Sequence, residues 1–351
     1  MTEMPEIGKI SPDVFEKMIL PFLGAKDKSV LIGPQNGVDV GIAEIGGKAV
    51  SFTTDPVFIV PEYGWEPAAW FAIHIIASDS ATSGLKPRYL SIDLNLPMDM
   101  TSEQLDSVWQ KMHSECIKLG ITVITGHTGR YENCHYPMVG GATIIGVGEI
   151  DQYVTPRLAR AGDKIIITKG PAIEASGIFA MMFPSVLEKE FGADFSRRAQ
   201  DIFFKMTTVE DAMTAVSVGV RDAGVTAMHD ATECGIWGGL FEIAQAAGLG
   251  VTVELEKIVV EDCVKEICSY FRIDPYASIS EGTLIISCRP HKAQDIITAL
   301  QKKGITASIV GELTDASNGM TLIKNGRAEK LVHPVVDPFW RAFYNALQKG
   351  S

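Results

Sequence analysis

Four aspartates in this chain stand where a carboxylate is poorly placed for ion pairing and well placed for binding a cation. Asp55 ends the apolar run AVSFTTD, Asp79 ends AIHIIASD, Asp230 ends VTAMHD, and Asp39 lies between two glycines in NGVDVG. No Lys or Arg adjoins any of them. Carboxylates without cationic neighbours must find positive charge elsewhere, and a hard divalent metal accompanying a phosphate group supplies it. Any one of these acids alone reads as a helix cap or turn residue. The set of four points to a metal–nucleotide site.

Regular elements must carry these acids to one place. SPDVFEKMILPFLG reads as a helix capped at Ser11 with Pro12 in its first turn. VDVGIAEI and KAVSFTT flank Gly46-Gly47 as a hairpin, and EPAAWFAIHIIASDSATSG reads as a buried helix closed by Gly84. YLSIDLNLP alternates, with Leu90, Ile92, Leu94 and Leu96 on one face of a half-buried strand. A helix capped by Thr101 and ended by Gly120 follows, then ITVITG as a short buried strand and VGGATIIGVGEI as another. Pro156 and the turn after it mark a boundary near residue 155, giving domains 1–154 and 155–351. Beyond it, helices are expected over Pro171 to Glu190, Arg197 to Met206 and Val209 to Asp222. Strands at VTAMHD, VTVEL, GTLIISC and ITASIVGEL then alternate with helices, a hairpin turns at Asn325-Gly326, and DPFWRAFYNALQ is the last helix. Interleaved helices and strands with hairpins indicate α/β (α+β) domains with mixed sheets.

The 351 residues carry 31 basic and 43 acidic side chains, a formal charge of −12, which argues against a nucleic-acid surface. Six dispersed cysteines without a CxxC, an acidic start without an apolar h-region and no membrane-length run fit a cytoplasmic protein. There is no GxxxxGK[ST], GxGxxG or GxSxG, so a bound nucleotide would need a different phosphate grip. His127, Cys134 and His135, with His113 and Cys116 upstream, match no standard zinc spacing. Tyr63, Trp65 and Trp70 could stack on a base, though aromatic residues here are more often core.

In order, the segments GPQNGVDVG, TTD, IIASDSATSGLKPR, TGHTG, HDATECGIWGG and SEGTLIIS are spread along the span from about Ser29 to Val332. Together they resemble the superfamily of AIR synthase (PurM), the hydrogenase maturation factor HypE, thiamin-monophosphate kinase and selenophosphate synthetase. The resemblance implies a PurM-like fold of two domains, the N-terminal one contributing strands such as YLSIDLNLP to a β-barrel shared across a homodimer. It implies ATP and magnesium as cofactors, with the metal on Asp39, Asp55 and Asp79. The nucleotide would lie against Asp55, Asp79, Gly126, His127, Thr128, Thr232 and Glu281, and Asp230 with His229 would act in catalysis. The implied activity is phosphoryl transfer from ATP to a carboxamide, formyl or similar oxygen of a small-molecule or protein-borne substrate, in metalloenzyme (hydrogenase) maturation with a partner protein. A non-catalytic nucleotide-binding scaffold is the alternative. Two positions depart from the pattern: His127 stands where an acid is expected, and Glu233 where an Arg is. HypE-like proteins are nearest in texture. No cysteine follows Cys288 to match the terminal thiol of HypE itself, which leaves the second substrate unassigned.

Overall fold

Two β-sheets, clasped by helices that belong to both halves of the chain, form the frame of the molecule. The structure is a computed structural model, described here over residues 10–350. The chain enters through a single helical turn, α1 (Pro12–Val14), capped by the Ser11 hydroxyl and extended by wider and tighter turns to Phe22. The first sheet contains β1 (Val30–Ile32), β2 (Gly41–Ile45), β3 (Lys48–Phe58), β4 (Pro87–Leu96), β5 (Thr122–Arg130) and β6 (Met138–Glu149). Its spatial order is β1-β2-β3-β6-β4-β5. The hairpin at Gly46-Gly47 is present, with Ile45 opposite Lys48.

Helices α2 (Trp65–Ala81) and α3 (Ser102–Leu119) pack on one face of this sheet. α2 is apolar on nearly every side, which is the pattern of a helix covered all round. Trp70 stacks on His74 and Tyr63 packs edge-on to Phe71, so these aromatic rings belong to the core. α3 begins with the reciprocal Thr101–Gln104 capping box and ends at Gly120 in the left-handed conformation. β4 buries Leu90, Ile92, Leu94 and Leu96, as its alternation requires.

One expectation for this half is corrected. ITVITG is not a short buried strand; it opens the nine-residue β5, which is exposed almost throughout because it forms the sheet's edge. TGHTG continues that strand beside β4. β4 pairs within the chain with β6 and β5, so the free edge at this end of the sheet belongs to β5.

The second sheet has the order β13-β12-β9-β11-β7-β10-β8. Its strands are β7 (Lys164–Thr168), β8 (Val225–Asp230), β9 (Gly250–Glu254), β10 (Leu284–Cys288), β11 (Ala307–Thr314), β12 (Met320–Lys324) and β13 (Arg327–Lys330). The helices are α4 (Ile173–Met182), α5 (Pro184–Phe191), α6 (Ala193–Asp201), α7 (Val209–Val218), α8 (Gly235–Ala247), α9 (Asp262–Phe271), α10 (Ala293–Lys302) and α11 (Pro338–Gly350). The single helix expected over 171–190 is two, because Pro184 cannot continue α4 and instead starts α5. The helix expected over 197–206 begins earlier, at Ala193, and ends as a tighter turn. The helix expected to reach Asp222 stops at Val218, before Gly219.

The halves interlock through polar contacts at α2. The backbone N–H of Thr208 donates to Ser78 Oγ (2.9 Å), and His74 Nδ1 meets Thr207 Oγ1 at 2.9 Å. The six cysteines are free thiols. Among the described residues, no helix is long and apolar enough to cross a membrane.

Candidate acidic active site between the two sheets

The four aspartates reach one cleft, each by its own route. Asp55 lies on β3 in the same pleat phase as the buried Thr53. Thr53 Oγ1 lies 3.0 Å from the Asp39 carbonyl and 3.4 Å from Asp79 Oδ2. Asp79 comes from the last turn of α2, which packs against β3. Asp39 arrives on the loop before β2, and Gly37 brings that loop against α8. The Gly37 backbone has φ +72°, and a Cβ there would sit 2.5 Å from the Glu242 carbonyl oxygen. A side chain at position 37 would therefore lift the loop carrying Asp39 away from the second half.

Asp230 ends the wholly buried β8. Its register partner on β10 is Leu284, so the segment just before β10 must lie beside it. That segment is Glu281-Gly282, with φ +97° at Gly282, where a Cβ would meet the Lys205 carbonyl oxygen at 2.3 Å. The turn therefore fits only glycine, and it sets the Glu281 carboxyl against Asp230. Thr232 follows Asp230; its carbonyl accepts from the Gly235 and Ser280 N–H groups, at 3.0 and 3.3 Å.

The electrostatics record this convergence. Burial first, then the charges of Asp230, Asp55 and Asp39, hold the Asp79 carboxyl well above the ordinary carboxylate range. Burial, Asp230 and Glu174 do the same to Glu281. No Lys or Arg forms an ion pair with Asp55, Asp79 or Glu281 among the described residues.

His229 is 2 % exposed and lies between two acids. Its Nδ1 is 2.8 Å from Asp39 Oδ2, and its Nε2 is 2.6 Å from Glu242 Oε2. Two carboxylate acceptors require both ring nitrogens to donate, so the ring is an imidazolium. Burial opposes that charge, but Asp39 and Glu242 override it and push the pKa well above its usual value. His229 thus joins the loop of the first half to β8 and α8 of the second. Ligand atoms of Asp39, His229 and Asp230 lie within 4.8 Å of one another.

Gly126, His127 and Thr128 lie elsewhere in the protomer. The row Asp55–Ala142–Ile92–Gly126 runs across β3, β6, β4 and β5. Three strand spacings put Gly126 roughly 14 Å from Asp55, on the same sheet face. His127 is one residue on and faces the other way, where Nε2 meets Tyr131 Oη at 2.6 Å.

Several acids at the site went unread in the sequence. Glu174, in the first turn of α4, accepts from the Glu281 N–H (3.0 Å), and burial with Asp337, Glu233 and Asp230 raises its pKa to about 7. Asp337 accepts from the N–H groups of Cys234 (2.7 Å) and Phe339 (2.8 Å), yet burial raises it to about 6. Asp337 was legible as a cap in DPFW. For Glu174 and Glu242, which sit within helices, no local pattern gave a signal.

Residues 37–148 match the N-terminal domain of the AIR synthase related proteins, and residues 160–323 match their C-terminal domain. The chain belongs to the AIR synthase related family. Its fold is the PurM-like one of that family, with one matched domain around each sheet. A hydrogenase expression/formation protein of Methanocaldococcus jannaschii is 24% identical over 339 residues, covering 95% of this chain and 96% of that protein. The carbamoyl dehydratase HypE of Escherichia coli is 25% identical over 275 residues, covering 77% of each. A crystal structure of HypE in complex with ATP superposes with a TM-score of 0.64 at 21% identity, covering 95% of this chain and 97% of that one. This AIR synthase related chain thus shares its architecture with that structure over nearly its whole length.

Proposed function

We propose that the acidic cleft binds MgATP and that the protein is an ATP-dependent enzyme of the HypE type acting in hydrogenase maturation. One observation carries this reading: Asp39, Asp55, Asp79, Asp230 and Glu281 converge from both halves, with carboxyl pKa values raised at Asp79 and Glu281. Such a set is costly to assemble unless a cation neutralises it. Its donors are hard oxygens, which fit magnesium, whereas the His229 nitrogens already face Asp39 and Glu242. The relatives named carbamoyl dehydratase and hydrogenase expression/formation protein support the reaction class.

Asp39, Asp55 and Asp79 would hold the metal, with Asp230 and Glu281 closing the site from the second half. Bound magnesium would neutralise phosphate charge, and ATP would be the phosphoryl donor to a carboxamide, formyl or similar oxygen. The protein's own part is positioning. The imidazolium of His229 orients Asp39, and burial between the sheets excludes water. The second substrate, small or protein-borne, and a maturation partner that would deliver it belong to the same proposal.

Calorimetry tests the reading directly. ATP with magnesium should bind the wild-type chain, and Asp55→Asn should weaken binding by about tenfold or more. Equal affinity in the two proteins would remove Asp55 from the site. Binding without turnover in the wild type would instead favour a scaffold.

A homodimer forms part of the proposal, and β5 is the surface for it. Val123 and Ile124 are 39 % and 52 % exposed on an unpaired edge, which soluble proteins normally protect. Ile124→Lys should convert a dimer to a monomer in analytical ultracentrifugation. A dimer that survives the substitution would place the interface elsewhere.

A further inference from the structure

A cavity outside the acidic cleft lies between the end of α9, the start of α5 and the first half of α11, with a volume of about 910 Å³. That is the size range of small-molecule sites. One wall is aromatic: Phe183, Tyr270 and Phe271 line it, with the Phe183 and Phe271 rings 5.9 Å apart. Two arginines from different elements, Arg272 and Arg341, line the same space. Neither guanidinium has a carboxylate within ion-pair distance among the described residues. The one acid in the lining, Asp337, turns its carboxylate to the N–H groups of Cys234 and Phe339 and is occupied as a cap.

Both arginines stand where the fold would prefer something else. Arg272 follows α9 with φ +58°, in the left-handed conformation that glycine adopts at lower cost. Arg341 lies in the first turn of α11, where the helix dipole disfavours a cation. Both side chains are exposed at the rim of the cavity, where a bound anion could meet the two guanidinium groups together.

We propose that this cavity binds a small organic anion, a flat apolar group bearing a carboxylate or phosphate, with its head between Arg272 and Arg341 and its body against Phe183 and Phe271. The site is separate from the acidic cleft, whose charge repels such a head group. Asp337 links the two regions, because its second oxygen holds the N–H of Cys234 at the entrance to α8.

Fluorine NMR on the full chain tests this with two probes, 4-fluorophenyl phosphate and 4-fluorobenzoate, and shows which head group is preferred. At least one should bind, and Arg341→Gln and Arg272→Gly should each weaken it about tenfold. ATP with magnesium should not displace it. Arg272→Gly should leave the melting temperature equal or higher, since glycine suits that backbone, which separates lost binding from lost folding. Absence of binding by both probes at millimolar concentration would overturn the proposal. So would unchanged affinity in both variants, or displacement by ATP with magnesium. None of these outcomes depends on whether the acidic cleft turns over ATP.

Discussion

Asp79→Asn should lower magnesium-dependent ATP turnover by roughly 100-fold or more and at the same time stabilise the cation-free protein. The two effects share one cause. Asp79 is half-buried, and its carboxyl is held well above the ordinary range by burial and by Asp230, Asp55 and Asp39. In the cation-free protein that charge is a liability, and an uncharged amide of the same shape relieves it by ~1–2 kcal/mol. In the loaded protein the same charge would be a metal ligand, and the variant would lose its contribution to positioning and neutralisation. A thermal melt without metal and a turnover assay with metal check both halves. Loss of turnover accompanied by a lower melting temperature would mean that Asp79 serves folding instead.

The second large effect is on pH. Glu174 and Asp337 have folded-state pKa values of about 7 and about 6, above their ordinary values of 4.5 and 3.8. His229 is also raised, from 6.5. In each case the folded chain holds a proton that the unfolded chain has released, so stability must fall as pH rises. The carboxyl contributions decline from about pH 4 to about pH 7, and that of His229 declines above pH 6.5. Glu174 is partly solvated, so its share is on the order of 2 kcal/mol. Magnesium at the cleft would compete with the protons held by Asp79 and Glu281, so its stabilising effect should grow as pH rises. Urea titrations from pH 5 to 8, with and without magnesium, measure this. A cation-free protein that gains stability from pH 5 to 7.5 would contradict the assignment.

The local elements were readable because their signals are local. The alternation of β4, the Thr101–Gln104 box and the turns at Gly46-Gly47 and Asn325-Gly326 each depend on a few neighbouring residues. Position within a sheet is not local. Val123 and Ile124 look like core residues in a string of letters, and only the strand order shows that they line an open edge. The acidic site was legible in part, from acids that end apolar runs. Asp39, Asp55, Asp79, Asp230 and Glu281 meet, but Gly126 to Thr128 lie across the sheet in a single protomer. Glu174 and Glu242 were missed because a helical glutamate near a cleft has the same local pattern as one facing solvent.

The acidic cleft is owned by neither half. One sheet and α2 supply Asp55, Asp79 and the loop of Asp39, while the other supplies Asp230, Glu281 and the His229 that grips Asp39. Any rotation that parts the lobes would break that grip and divide the acids in the same movement. On the proposed function, discharge of spent nucleotide would therefore need no dedicated gate: loosening the seam would let it go.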